Sequence, residues 1–173
     1  YIVGVTGTVG TGKSYVSDKL VEIGKEKNIP VHNIDFDKLA HYILGNSQEP
    51  LYKKTREKII ETFGNEFANE DGSINRTALR DIVFDIKAIP FTVKHNVTSY
   101  KTNHMPNLEK LNDIMFKPIK IALRKELRNK KGLILFNAAR IPDFDLTYMC
   151  NNNIVLVDTP YDDQKQRLSN KGL

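Results

Sequence analysis

The chain has 173 residues, 40% of them hydrophobic, which is enough to bury one core and a small satellite lobe but not two independent domains. It has no apolar run long enough to cross a membrane and no signal-peptide pattern, so we expect a cytoplasmic protein with no membrane partner. The single cysteine, Cys150, cannot form an internal disulfide, and the histidines lack zinc-site spacing. The net charge of +5 suits an anionic partner without identifying it.

The first predicted elements are a strand, a glycine-rich loop and a helix. The segment "YIVGVT", residues 1–6, is apolar and β-branched, as in a central strand that is buried on both faces. Apolar residues then recur at helical spacing, which predicts a helix from Lys13 to about Lys27. The segment "VHNI" predicts a second strand that ends in "DFD", and "KLAHYIL" predicts a short helix closed by Gly45.

The middle of the chain is predicted to be helical. The segments "EPLYKKTREKIIETF" and "NRTALRDIVF" predict two helices, separated by a loop that contains a D-G turn. Residues 86–107 show no helical or strand period. An apolar stripe at helical spacing runs from Leu108 to Leu127, and Pro118 is tolerated in it if a new helix begins there.

Two further strands and a helix are predicted near the end of the chain. "GLILFNA" and "NIVLVD" are typical of buried strands, and "YDDQKQRLSN" predicts a helix. Strands that alternate with helices indicate an α/β protein with a parallel, doubly wound sheet, whose ligands bind at the carboxyl ends of the strands. The basic stretch "RKELRNKKG" has no interleaved aromatic residues, which favours a solvated helix end over a nucleic-acid patch, so no nucleic-acid partner is expected.

The segment "GTVGTGKS", residues 7–14, matches the G-x-x-x-x-G-K-[ST] template of a phosphate-binding loop. It lies between a predicted strand and a predicted helix, as the template requires. In such a loop, consecutive backbone N–H groups and the helix N-terminus face the phosphates. Lys13 would bridge the β- and γ-phosphates of a nucleotide, and the Ser14 hydroxyl would bind magnesium. The alternative is a glycine-rich turn with an incidental lysine.

Asp35 and Asp37 follow the second predicted strand, so we expect both at the same sheet edge as the phosphate loop. An aspartate there can accept the proton of a hydroxyl that attacks the γ-phosphate, or hold magnesium through water. The alternative is a helix N-cap. The sequence lacks the N-K-x-D motif of a GTPase, and "LILFNAA" ends in Asn137 where a motor ATPase would have paired acids.

Five segments resemble, in this order, the dephospho-CoA kinases, which are P-loop kinases that complete coenzyme A biosynthesis. The segments are "VTGTVGTGKS", "NIDFDKLAHYIL", "FGNEFANEDGSINRTALRDIVF", "ILFNA" and "VLVDTPYDDQKQRL", and the third is the most particular to the family. The resemblance implies an α/β, three-layer P-loop nucleotide kinase fold in which helices flank a parallel sheet. It also implies a single kinase domain over residues 1–173, with a helical acceptor-binding subdomain inserted at about residues 49–127.

The resemblance also implies an activity, the magnesium-dependent transfer of the ATP γ-phosphoryl group to the 3′-hydroxyl of dephospho-CoA. Asp37 would orient and deprotonate that hydroxyl, Lys13 would stabilise the transferring phosphoryl group, and Ser14 would help to hold magnesium. The residues expected to bind ATP are Gly10, Thr11, Gly12, Lys13, Ser14 and Tyr15. The residues expected to bind the acceptor are Asp35, His41, Arg76, Arg80 and Lys117. For Arg76 and Arg80, the alternative is a salt bridge with Asp71 or Asp81.

Three polar positions depart from the family pattern. His41 takes the place of an arginine, Lys117 that of a histidine, and Asn137 that of a glutamate. The chain ends at "NKGL", where the family continues into an arginine-bearing lid, so we expect the lid to be missing or truncated. Arg167 is a family-like arginine near that end, and Lys171 is expected to be an ordinary surface lysine.

The sequence is also compatible with two other functions. The first is a P-loop kinase that phosphorylates another small hydroxyl acceptor, because such kinases share the same loop. The second is a relative that binds nucleotide without catalysing transfer, which the changed polar positions and the shortened end would favour. The sequence does not specify an oligomeric state.

Overall fold

The computed structural model describes residues 1–84, 106–139 and 147–170, and the chain divides into two compact units. Unit 1 comprises Tyr1–Leu39 and Ala122–Leu173, and unit 2 comprises Ala40–Ile121. The strands are Ile2–Thr6 (β1), Val31–Asp35 (β2), Leu133–Asn137 (β3) and Ile154–Leu156 (β4). The helices are Lys13–Glu26 (α1), Phe36–Leu44 (α2), Pro50–Phe63 (α3), Arg76–Val83 (α4), Pro106–Leu127 (α5) and Tyr161–Ser169 (α6).

Unit 1 is built on a four-stranded parallel sheet with the strand order β2-β3-β1-β4. The first two strands along the chain, with only α1 between them, therefore lie on either side of β3. The register places Val5 of β1 and Asp35 of β2 level with Asn137 of β3. The carboxyl ends of these three strands thus meet at one edge of the sheet. The predicted α/β class with a parallel sheet is confirmed.

The core of unit 1 is centred on β3, where four of the five residues are buried. Leu135 and Phe136 are fully enclosed, and the Phe136 ring packs edge-on against Phe36 with the centroids 5.4 Å apart. Cys150 is a free and fully buried cysteine. Loss of solvation raises the pKa of its thiol to about 11, which keeps the sulfur protonated and unreactive at neutral pH.

Unit 2 has its own helical core around α3 and α4. Tyr52 and Ile59 lie about two turns apart on α3 and are almost completely buried, together with Leu79 of α4. The Tyr52 ring meets Tyr42 edge-on at a centroid distance of 5.6 Å. Asn75 caps α4, since its side chain accepts a hydrogen bond from the Ala78 N–H group.

Arg56 of α3 is a buried cation that braces the loops of unit 2. Only 4% of this residue is exposed, and its guanidinium donates to three backbone carbonyls from different loops and helices. The acceptors are the oxygens of Gly72 at 2.8 Å, Ile43 at 3.1 Å and Ser47 at 2.7 Å. The planar fork of arginine suits such a divergent set of acceptors, which the point charge of lysine could not reach together.

Two expectations about the elements are wrong. The segment "NIVLVD" was expected to be a buried strand, but all three residues of β4 are exposed, because β4 pairs with β1 alone in the described part of the chain. Pro118 was expected to be tolerated only if a new helix began there, but α5 continues through it. Burial of Met115, Pro118 and Ile119 offsets the missing hydrogen bond of the proline nitrogen.

Several sequence-based expectations lie outside the described residues. These include Lys171 and almost all of the segment 86–107, for which no period was found. Within the three described ranges, no helix has the length and the hydropathy needed to cross a membrane.

Replacing Arg56 by methionine should lower the free energy of unfolding by about 3 kcal/mol, because three backbone carbonyls lose the charged donor that this buried side chain supplies. Lys54→Met, an exposed cation on the same helix, should change it by less than about 0.5 kcal/mol. Urea denaturation of both variants measures the difference. Equal effects of the two substitutions would contradict the bracing role of Arg56.

Candidate active site

The loop between β1 and α1, residues 7–12, has the backbone shape of an anion-binding loop. Gly10 and Gly12 have φ angles of 88° and 96°, in the left-handed region where a side chain is strained. The loop turns directly into α1, which begins at Lys13. No side chain among the described residues caps α1, so its first N–H groups and its partial positive charge face a potential ligand.

The Thr8 carbonyl binds two side chains of this segment. It accepts hydrogen bonds from the Thr11 hydroxyl and from the Lys13 ammonium group, each at 2.9 Å. Thr11 is buried, with 3% of its surface exposed, whereas Lys13 is partly exposed. The lysine head is therefore held close to the loop, beside the N–H groups at the start of α1.

A cavity of about 870 Å³ opens over the loop, within the size range of a nucleotide pocket. All of its lining residues belong to unit 1. Every residue that the sequence predicts to bind ATP lines it: Gly10, Thr11, Gly12, Lys13, Ser14 and Tyr15. Ser14 is exposed, and 68% of Tyr15 is exposed.

Asp35 and Asp37 make different contacts. The Asp35 carboxylate accepts the N–H groups of Asp37 at 2.9 Å and Lys38 at 3.3 Å, which is the arrangement of a helix N-cap. Asp37 lies one residue inside α2, is exposed, and lines the cavity over the phosphate loop. Asp35 therefore ends β2, whereas Asp37 lies in the first turn of α2 at the same edge of the sheet.

A second cleft, of about 360 Å³, lies within unit 2. His41 of α2 and Arg76 at the start of α4 both line it, so two of the predicted acceptor-binding residues share one cleft. The other lining residues are Leu44, Gly45, Asn69, Ser73, Ile74, Asn75 and Thr77. This lining contains two potential cations and no carboxylate, so the cleft is suited to an anion.

Asp71, a carboxylate that lies between the lining residues Asn69 and Ser73 in the sequence, is already engaged. Its oxygen Oδ1 accepts the Ser73 hydroxyl at 2.6 Å and the Ser73 N–H group at 3.0 Å. These two hydrogen bonds hold the pKa of Asp71 below its ordinary value, and the charge of Arg56 adds to the effect. Asp71 therefore stays ionised at neutral pH.

Arg80 and Lys117 line neither of these two cavities. Arg80 contacts Asp81 at 3.4 Å in an exposed pair, which is the alternative that the sequence left open for it. Lys117 is exposed on α5. Their predicted contacts with the acceptor stay predictions.

Sequence reasoning missed the residues that follow β4. Val157, Asp158 and Thr159 all line the cavity over the phosphate loop, as do Arg167 and Asn170 near the end of α6. The rule that ligands bind at the carboxyl ends of parallel strands could have singled out the first three. Nothing in the spacing of α6 indicates that its residues reach the phosphate loop.

Asn137 ends β3 between the phosphate loop and the start of α2. It is 4% exposed, and its amide nitrogen has no hydrogen-bond partner among the described residues. The register places it level with Val5 and Asp35. A neutral amide therefore occupies the middle of the sheet edge where the site lies.

A sequence model of the dephospho-CoA kinase family (CoaE) matches residues 1–172, which is nearly the whole chain. The chain belongs to the dephospho-CoA kinase family. A dephospho-CoA kinase from Fusobacterium nucleatum is 32% identical over 169 residues, which are 96% of this chain and 71% of that protein. A dephospho-CoA kinase from Aquifex aeolicus is 27% identical over 173 residues, 99% of this chain and 73% of that protein.

Other alignments are shorter or concern the fold alone. The dephospho-CoA kinase of Dehalococcoides mccartyi is 43% identical over 83 residues, which are 48% of this chain and 36% of that protein. A crystal structure of a Thermus thermophilus protein superposes with a TM-score of 0.66 at 23% identity, covering 99% of this chain and 73% of that one. The family predicted from the sequence is confirmed, and it is a family of kinases that phosphorylate dephospho-CoA.

The two aspartates should differ in their effect on stability. Replacing Asp35 by alanine removes the acceptor for two N–H groups of α2 and should lower the free energy of unfolding by about 1 kcal/mol. Asp37→Ala, at an exposed position in the first turn, should change it by less than about 0.5 kcal/mol. Urea denaturation of both variants tests this, and a larger loss for Asp37→Ala would contradict the capping role of Asp35.

Proposed function

We propose that this chain transfers the γ-phosphoryl group of ATP to the 3′-hydroxyl of dephospho-CoA, with ATP on the phosphate loop and Asp37 as the base. The observation that carries this proposal is that Asp37 lines the same cavity as Lys13 and Ser14. Membership of the dephospho-CoA kinase family supports the reaction. The shared cavity supports the roles of the individual residues.

The phosphate loop would bind the triphosphate mainly through its backbone. The N–H groups from Gly10 to Tyr15 would donate to phosphate oxygens, helped by the positive end of α1. The Lys13 ammonium group donates to the Thr8 carbonyl at 2.9 Å in the structure. A charged phosphate oxygen is a stronger acceptor than a carbonyl, so we expect Lys13 to turn to the β- and γ-phosphates when ATP binds.

Asp37 would act on the attacking hydroxyl. Its carboxylate accepts the proton of the 3′-hydroxyl while the oxygen attacks the γ-phosphorus. A new O–P bond forms as the bond from the γ-phosphorus to the β–γ bridging oxygen breaks, and ADP leaves with that electron pair. Asp35 is committed to the N–H groups of α2, which leaves Asp37 as the better candidate of the two.

The cavity also contains oxygen donors that suit magnesium. Mg²⁺ at nucleotide sites is held by one or two protein oxygens together with phosphates and water, and the Ser14 hydroxyl and the Asp37 carboxylate are such oxygens. When bound, Mg²⁺ with ATP neutralises charge on the β- and γ-phosphate oxygens. Ser14 is the residue that we propose as its protein ligand.

The cleft of unit 2 would bind an anionic part of the acceptor. Dephospho-CoA carries a diphosphate group, and His41 and Arg76 line a cleft that lacks carboxylates among its lining residues. The guanidinium of Arg76 can bind phosphate oxygens in pairs, whereas His41 contributes one donor. We propose these two residues, and not Arg80 or Lys117, as the main acceptor contacts of unit 2.

A coupled assay of ADP release tests the proposed reaction. The purified chain would receive ATP and Mg²⁺ with dephospho-CoA, with the analogue that lacks the 3′-hydroxyl, or with no acceptor. ADP release that requires dephospho-CoA and fails with the 3′-deoxy analogue supports the proposal. Release with another hydroxyl acceptor only, or ATP binding with no release under any condition, would overturn it.

Asp37→Asn should lower kcat by about a hundredfold or more, because the amide cannot accept the hydroxyl proton. The dissociation constant of ATP should change by less than about threefold, since the phosphates bind to the loop and not to this side chain. Asp35→Asn keeps a capping oxygen and serves as the matched control. Isothermal titration and steady-state kinetics measure both quantities, and similar kcat values for the two variants would contradict the role of Asp37.

Arg76→Met should raise the KM for dephospho-CoA by about tenfold or more and leave the KM for ATP nearly unchanged. Arg76→Lys keeps the charge without the planar fork and should give an intermediate value. Arg80→Met, on the same helix, tests the other arginine that the sequence proposed. A larger change for Arg80→Met than for Arg76→Met would assign the acceptor contact to Arg80 instead.

The cytoplasmic location of the protein and the lack of a nucleic-acid partner stay predictions from the sequence. The same holds for the helical acceptor-binding subdomain at about residues 49–127. We propose all three on the basis of the family, since its substrates are small and water-soluble.

A further inference from the structure

Backbone carbonyls of the phosphate loop accept hydrogen bonds from α6 and from the segment just before it. The Gln164 side-chain amide donates to the Val9 carbonyl at 2.5 Å and to the Thr8 hydroxyl at 2.9 Å. Gln164 lies in the middle of α6, more than 150 residues further along the chain. A helix remote in sequence therefore contacts the loop directly.

Two further donors continue this contact along the loop. The Thr159 hydroxyl donates to the Thr11 carbonyl at 2.8 Å. The Arg167 guanidinium lies 3.4 Å from the carbonyl oxygens of Gly10 and Thr11, and it also lines the cavity. Each carbonyl from Val9 to Thr11 thus has a donor from the segment that follows β4.

The packing between α6 and the loop is tight as well as polar. A Cβ atom on Gly10 would lie 3.0 Å from Cγ of Gln164 and 3.1 Å from Cγ of Leu168. These distances are shorter than ordinary carbon contacts. The glycine at this position therefore satisfies two requirements, its positive φ angle and the close approach of α6.

A peptide plane carries its N–H and C=O groups on opposite sides, so a donor that fixes the direction of the carbonyl also fixes the direction of the N–H group. We infer that Thr159, Gln164 and Arg167, together called the α6 clamp, are positioning residues that set the phosphate-binding shape of the loop. The inference rests on the proposed function in one respect, that the loop binds ATP. Arg167 lines the cavity and adds positive charge beside the loop.

The inference is tested by binding measurements on variants of Gln164. Gln164→Met keeps the length of the side chain but removes both donated hydrogen bonds. Gln164→Glu places a carboxylate against the Val9 carbonyl. Gln166→Met changes an exposed glutamine on the same helix and is the matched control. Isothermal titration with ATP, tripolyphosphate and adenosine gives the three dissociation constants for each protein.

We expect the dissociation constants of ATP and tripolyphosphate to rise about tenfold in Gln164→Met and further in Gln164→Glu, with that of adenosine unchanged. Gln166→Met should match the parent chain. Equal affinities of Gln164→Met and Gln166→Met for tripolyphosphate would overturn the inference, and so would an equal loss for adenosine. If the parent chain binds no ATP, the proposed function itself fails, which separates the two results.

The KM values and the melting temperature of Gln164→Met distinguish a positioning role from a general loss of folding. Gln164→Met should raise the KM for ATP about tenfold, leave the KM for dephospho-CoA unchanged, and keep the melting temperature without nucleotide within about 2 °C of the parent chain. A variant that melts far lower is replaced by Arg167→Met and its rescue Arg167→Lys, which restores a donor and the charge. Failure of Arg167→Met to raise the KM for ATP would then overturn the inference.

Discussion

A peptide unit that turns its N–H group toward a phosphate must turn its carbonyl in the opposite direction, and that carbonyl needs a partner of its own. The phosphate loop of this chain has both the backbone conformation and the hydrogen-bond donors that such an arrangement needs. Gly10 and Gly12 adopt positive φ angles, which curl the backbone without side-chain strain. The Thr8 carbonyl is bound from within the loop by Thr11 and Lys13. Because the sheet edge beside this loop also carries the start of α2, the position of Asp37 depends on the same framework.

The two aspartates of "DFD" make different contacts because α2 begins between them, at Phe36. Since α2 begins at Phe36, Asp35 is the last residue of the strand and its carboxylate binds the helix N–H groups. Asp37 is already in the first turn and lines the cavity over the loop. A carboxylate without strong backbone donors is free to accept a proton from a substrate, whereas one that caps a helix is not.

Much of the fold could be predicted from the sequence, because the phosphate loop and the buried strands have local patterns. The burial of β4 could not, since "NIVLVD" has the same apolar pattern in a central strand as in a strand that pairs on one side only. The shared cleft of His41 and Arg76 joins residues 35 positions apart, and the contact of Gln164 with Val9 joins residues 155 positions apart. Such pairs follow from the packing of remote elements, which periodicity and spacing do not encode.

In the proposed complex, the backbone N–H groups at the start of α1 hold the triphosphate. Amide resonances of a ¹⁵N-labelled sample, followed during titration with ATP and Mg²⁺, test it directly. We expect large downfield shifts for Gly10, Gly12, Lys13 and Ser14, saturating together, and none of these shifts with adenosine. Saturable ATP binding that shifts amides elsewhere and leaves these four unchanged would contradict it.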